Sequence, residues 1–74
     1  MRYRTLDSLS PGETAVIIYI EDTPFSERLK DVGFTEGTAV TCRIAAPCGD
    51  PVAYSVRGTL IAIRKNEAQR IHIR

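Results

Sequence analysis

Arg28-Leu29-Lys30-Asp31-Val32-Gly33-Phe34-Thr35-Glu36-Gly37-Thr38 places two glycines between an apolar helical stripe and an alternating strand pattern. Phe25, Leu29 and Val32 stand at i, i+4 and i+7, one face of a helix too short to be stable unless it docks on something larger. Thr23 before Pro24 predicts the start of that helix. A threonine hydroxyl caps free amides of the first turn, and proline at the first helical position gives up only an N–H that has no partner there. Gly33 is expected just past the helix in the left-handed conformation, with Phe34 folding back on Leu29 as the apolar clasp of a Schellman ending. Thr35-Glu36-Gly37 supplies a second tight turn, after which Thr38 opens a strand.

On the N-terminal side, Tyr3, Leu6 and Leu9 repeat at three-residue spacing ahead of the turn signal Ser10-Pro11-Gly12. Thr14–Ile20 is rich in β-branched residues and apolar at both parities, which predicts a central or strongly curved strand ended by Glu21 and Asp22. On the C-terminal side, Thr38–Ala45 alternates, with Val40, Cys42 and Ile44 expected inward and Thr41 and Arg43 outward. Pro47-Cys48-Gly49-Asp50-Pro51 is a loop whose prolines cannot extend a ladder. Val52–Val56 resumes with Val52, Tyr54 and Val56 inward, and Arg57-Gly58 reads as a tight hairpin. Thr59–Arg64 forms the next strand, Asn66 is placed to cap a single helical turn, and Ile71 and Ile73 alternate with Arg70, His72 and Arg74 in a last strand. No repeat, low-complexity tract or linker interrupts this order. About five short strands, one inserted helix and one helical turn before the last strand predict a mainly β protein. The expected fold is a strongly bent antiparallel barrel of the Src-homology-3-like (SH3-like) kind, with residues 1–74 forming one domain.

At 74 residues and 8.2 kDa, such a core can hardly surround the concave pocket of roughly 300 Å³ or more that small-molecule chemistry needs. Binding is therefore the expected activity, and no catalytic residue is assigned. Net charge is +1, too small for a global field that attracts nucleic acid or anionic lipid. Its distribution is uneven: residues 1–40 hold four Arg/Lys against seven Asp/Glu, and residues 41–74 hold six against two. No apolar run exceeds the six residues Ala15–Ile20, which predicts neither a membrane span nor a secretory signal core, so a cytoplasmic location is expected.

Gly12, Gly33, Gly37 and Gly58 read as backbone devices. The chain lacks the Gly-x-x-x-x-Gly-Lys-Ser/Thr phosphate cradle, so no nucleotide cofactor is expected. Cys42, on an inward position, is expected to fill the core as a small apolar residue. Cys48 with His72 makes at most half of a tetrahedral shell, so no metal ligand is assigned, and a reducing compartment would keep both thiols free. Arg57, Arg64, Lys65, Arg70 and Arg74 compose either a solvated basic face or a patch for an acidic surface or RNA phosphates. Exposed aromatics do not interleave with them, which weakens the nucleic-acid alternative. Arg70 and Arg74, flanking His72, are expected to disfavour its protonated form if they lie close. Phe25 and the Cys48-Gly49-Asp50 loop are the candidates for partner contact, Phe25 serving either there or in the core beside the surer anchors Leu29 and Val32.

The ordered set of Leu6 and Leu9 with Pro11-Gly12, Arg28-Leu29 with Asp31-Val32-Gly33-Phe34, and Gly37-Thr38-Ala39-Val40 resembles the ferrous iron transport protein A (FeoA) family. The resemblance continues through Ala46-Pro47 with Gly49-Asp50-Pro51-Val52, Tyr54, Val56 and Gly58, Ile61-Ala62-Ile63-Arg64, Glu67-Ala68, Ile71 and Ile73, nearly the whole chain. It implies an SH3-like barrel without catalytic chemistry that supports bacterial iron uptake by contacting the ferrous iron permease at its cytoplasmic GTP-binding (G) domain. Cys48 departs from the larger apolar residue common in that family. Similar domains end iron-dependent repressors, and the lack of DNA-binding helices ahead of this one favours the transport accessory. A metal-sensing module is a third alternative, and pairing between copies through barrel edges is left open.

Overall fold

The computed structural model describes residues 4–74; Tyr3 lies outside the described residues. Strand β1 (Arg4–Thr5) leads through a 3-10 turn (Leu6–Ser8) to β2 (Thr14–Ile20), helix α1 (Ser26–Asp31), β3 (Ala39–Ala45), β4 (Val52–Val56), β5 (Thr59–Ile63), helix α2 (Lys65–Ala68) and β6 (Ile71–Ile73). All pairings are antiparallel, in the order β1-β6-β2-β3-β4-β5. The two-residue β1 is thus a sixth strand beyond the expected five. It was not legible because its pattern belongs to the turn that follows.

The core gathers Leu6, Ile17, Leu29, Phe34, Val40, Tyr54, Val56, Ile63, Ile71 and Ile73, each 0–1 % exposed. Tyr54 buries its ring but donates its hydroxyl to the Leu6 carbonyl at 3.3 Å, tying β4 to the 3-10 turn. Desolvation pushes that phenol up to about 12.

The Schellman ending forms as expected. Phe34 N–H reaches the Leu29 carbonyl at 2.9 Å and Gly33 N–H reaches Lys30 at 3.1 Å, with Gly33 at φ 108°. Arg57 and Gly58, both at positive φ, make the two-residue hairpin between β4 and β5. Thr38 N–H bonds the Thr35 carbonyl at 3.1 Å and closes the turn around Gly37.

Four local expectations are corrected. Helix α1 starts at Ser26, not at Pro24, and the Thr23 hydroxyl is buried without a partner. The Ser26 hydroxyl instead donates to the Thr23 carbonyl at 2.9 Å, a local bond that competes with threonine capping. Val32, past the last helical residue, is 39 % exposed and anchors nothing, because the Schellman turn hands the buried position to Phe34. Asn66 lies inside α2, whose start is served by carboxylates: Glu67 accepts from Arg64 N–H at 3.1 Å and Asp50 from Lys65 N–H at 2.8 Å. Strand β2 is central but buries only one face; a bulge between Ile17 and Tyr19 shifts its phase so that Ile20 is inward and Tyr19 outward.

Helix α1 is clamped to α2 by an ion pair between Arg28 and Glu67 at 2.5 Å, with the Glu67 side chain only 12 % exposed. Glu67 thus serves the start of one helix and the placement of the other.

Candidate docking surfaces

A second bulge, between Cys42 and Ile44 in β3, reverses the expected direction of Ile44. Cys42 stays in the core, whereas Ile44, expected inward, is 69 % exposed. Pairing places Ile44 opposite Ala53 and Ala53 opposite Ala62, while Thr41, Ser55 and Leu60 form the neighbouring row. Leu60 is 64 % exposed. Two large aliphatic side chains therefore stand on a floor of alanine and serine across β3, β4 and β5. They border an open depression of about 750 Å³ lined by Arg43, Ile44, Ser55 and Leu60. Sequence reasoning missed this face because a bulge changes parity without altering the residue pattern. The only prior signal was the unbroken apolar run Leu60–Ile63, which alternation alone cannot orient.

The Cys48-Gly49-Asp50 loop continues the β3 end of the same sheet. Ala46 N–H bonds the Pro51 carbonyl at 3.0 Å and Gly49 N–H bonds Ala46 at 2.7 Å, folding the loop on itself. Cys48 is exposed with its thiol 3.0 Å from the Asp50 carbonyl, and Cys42 is buried; both are free thiols. Asp50 holds α2 through Lys65 N–H and lies 3.5 Å from the Arg64 guanidinium, so its carboxylate fixes the loop. Phe25 is half-buried and packs against the core.

On the opposite edge of β2, the outward Tyr19 ring lies 5.7 Å from the His72 ring at 35°. His72 Nε2 is 2.8 Å from Glu21 Oε2, and Arg70 donates to Glu21 Oε1 at 3.2 Å. These bonds, His72 first and Arg70 second, hold the Glu21 carboxyl below its ordinary range. The residue spacing placed only Arg70 and Arg74 beside His72; the fold adds a carboxylate from the end of β2 as its hydrogen-bond partner, shared with Arg70. Sequence spacing could not show this, because Glu21 lies 51 residues away in the chain. Beside the cluster, a groove of about 550 Å³ runs between Tyr19, Lys30, Phe34 and Thr35.

The basic residues do not form one free face. Arg64 pairs with Asp50 and Arg70 with Glu21. Arg57 lays its aliphatic stem over Gly33. Among the described residues, no three His, Cys, Asp or Glu side chains gather as metal ligands, and no helix is long and apolar enough to cross a membrane.

A family model described as FeoA domain matches residues 4–74. A curated relative, the Fe(2+) transport protein A/Fe(2+) transporter FeoB fusion protein of Porphyromonas gingivalis, is 32% identical over 69 residues. That match covers 92% of this chain and 8% of the relative, so the chain spans a small part of that protein's length. The solution structure of the FeoA protein from Chlorobium tepidum is similar with a TM-score of 0.89 and 31% identity, covering 95% of this chain and 68% of that one. The zinc complex of Stenotrophomonas maltophilia FeoA, described as a procaryotic SH3 domain protein and candidate ferrous iron transport activating factor, has a TM-score of 0.86 and 29% identity. It covers 96% of this chain and 89% of that one. A manganese-dependent transcriptional repressor, at 14% identity and a TM-score of 0.84 over 96% of this chain and 40% of that one, shares the fold alone.

Proposed function

Because the chain belongs to the FeoA domain family, we propose that it is a non-enzymatic accessory of bacterial ferrous iron uptake that docks on the cytoplasmic G domain of the ferrous iron permease and modulates it. The single observation that carries docking is the pair of exposed aliphatic side chains, Ile44 at 69 % and Leu60 at 64 %, on one uncovered sheet face. The fusion of an FeoA-like segment to an FeoB transporter in the Porphyromonas relative supports the choice of partner. Under this proposal the chain acts in the cytoplasm as one domain, at the membrane only through the permease. The Cys48-Gly49 loop extends the contact, Asp50 holds the loop in shape, and the uncovered part of Phe25 borders α1 as a further contact.

Modulation requires tighter binding to one state of the permease than another, since equal affinity shifts no equilibrium. Calorimetric titration of the purified G domain, nucleotide-free and loaded with GDP or a non-hydrolysable GTP analogue, should give saturable binding whose affinity depends on the nucleotide. Ile44→Asp should weaken it by roughly tenfold or more, as expected when a charge enters an apolar contact. Absence of binding in every nucleotide state would count against docking at this domain.

A further inference from the structure

Strand β5 ends the sheet. Val56 and Thr59 flank the two-residue turn and exchange hydrogen bonds, so antiparallel alternation gives the same role to the pairs Tyr54–Ile61 and Val52–Ile63. The N–H and C=O groups of Leu60 and Ala62 therefore point away from β4, and no strand among the described residues pairs with them. Natural edges are commonly blunted by charged residues, proline or a bulge. Thr59-Leu60-Ile61-Ala62-Ile63 has none of these.

Charge identifies what would pair there. The stretch Arg57–Lys65 holds Arg57, Arg64 and Lys65 and no carboxylate of its own; Asp50, which reaches Arg64 and the Lys65 N–H from the neighbouring loop, offsets one of the two cations at that end and leaves it net positive. Arg43 stands beside Ile44 on the same face. Of these four, only Arg64 has an ion-pair partner among the described residues. A second copy is disfavoured: an antiparallel β5–β5 pair using both Leu60 and Ala62 centres on Ile61 and sets Arg57 opposite Lys65 of the other copy, twice. Both lie just beyond the strand, Arg57 in the hairpin turn and Lys65 at the start of α2, and like charges gathered at each end of the pair repel.

We propose that β5 accepts an extended segment of a partner protein as an added strand, apolar on the side that meets Leu60 and Ile44 and carrying carboxylates at both ends. Backbone bonds to Leu60 and Ala62 give affinity, and the flanking cations select the acidic ends. Only the identity of the natural partner rests on the docking to the permease proposed above.

The test uses the whole isotopically labelled chain and a synthetic peptide of alternating valine and threonine with paired aspartates at each end. Amide exchange of Leu60 and Ala62 should be fast in the free protein and slowed on saturation, with shift changes centred on Ile44 and Leu60. The same peptide with lysine ends should bind roughly tenfold more weakly or worse. Leu60→Lys should abolish protection. Ala62→Pro should do so too while leaving the β4–β5 ladder intact, because the N–H it removes faces outward. If Ala62→Pro does not fold, a peptide N-methylated on its pairing edge replaces it and should fail to bind. Protection elsewhere in the sheet, or equal binding of lysine-ended peptide, overturns the proposal. Protection that rises with protein concentration and needs no peptide overturns the choice of occupant in favour of a second copy. Undiminished binding of Leu60→Lys to the permease G domain overturns β5 as the site while docking stands. Peptide protection without any G-domain binding leaves β5 as an acceptor and removes the permease as its partner.

Discussion

Replacing Gly33 by alanine tests the turn that joins the inserted helix to the barrel. At φ 108° an L residue is strained, at a cost of about 1–3 kcal/mol. Alanine also restricts the unfolded chain, which offsets about 0.4–1 kcal/mol of that loss. The net effect should be about 1–2 kcal/mol, or about 4–16 °C in Tm for a domain of this size. A new Cβ would lie 3.0 Å from Arg57 Cδ, but that atom belongs to a flexible stem that can swing aside. Strain in the backbone, not the contact, should therefore dominate. Thermal and urea unfolding followed by circular dichroism, on Gly33→Ala, Arg57→Ala and the double variant, separates the two causes. Gly33→Asn should lose less than alanine, because asparagine tolerates this region better. A Gly33→Ala protein as stable as the parent, or one restored by Arg57→Ala, would refute the backbone account.

Three further outcomes are expected. Asp50→Ala removes the acceptor of Lys65 N–H and should cost about 1 kcal/mol, with faster amide exchange at Lys65 as the local readout. The Arg4 guanidinium, followed by Ser10 N–H, holds the Glu13 carboxyl down from its ordinary 4.5 to about 2. A depressed folded-state value means that the stabilisation is fully present above about 4.5 and is lost as pH falls toward 2; Glu13→Gln should flatten the urea-midpoint curve in that window. Ellman's reagent should titrate exposed Cys48 in the native protein and Cys42 only after unfolding, since burial shields the Cys42 thiol and raises its pKa.

Local chemistry was enough for the elements and several of their ends. Beta-branched content and alternation predicted Thr14–Ile20 and Val52–Val56 at the bounds the structure has, and Gly33-Phe34 encoded the helix stop because a Schellman turn involves only near neighbours. The start of α1 was less legible: Ser26 and Thr23 offer competing local bonds, and the sequence does not rank them.

Residue order by itself determined a small barrel with an inserted helix, through periodicity of two along strands and glycine at the turns. Tertiary structure alone decided which side chains face outward where parity breaks, and which charges meet. The bulge in β3 exposes Ile44, the carboxylate of Asp50 reaches α2 across the chain, and Glu21 meets His72 from a distant strand. Each outcome depends on register and chain reversal, which pair residues far apart in sequence, and a one-residue slip in a ladder exchanges core for surface.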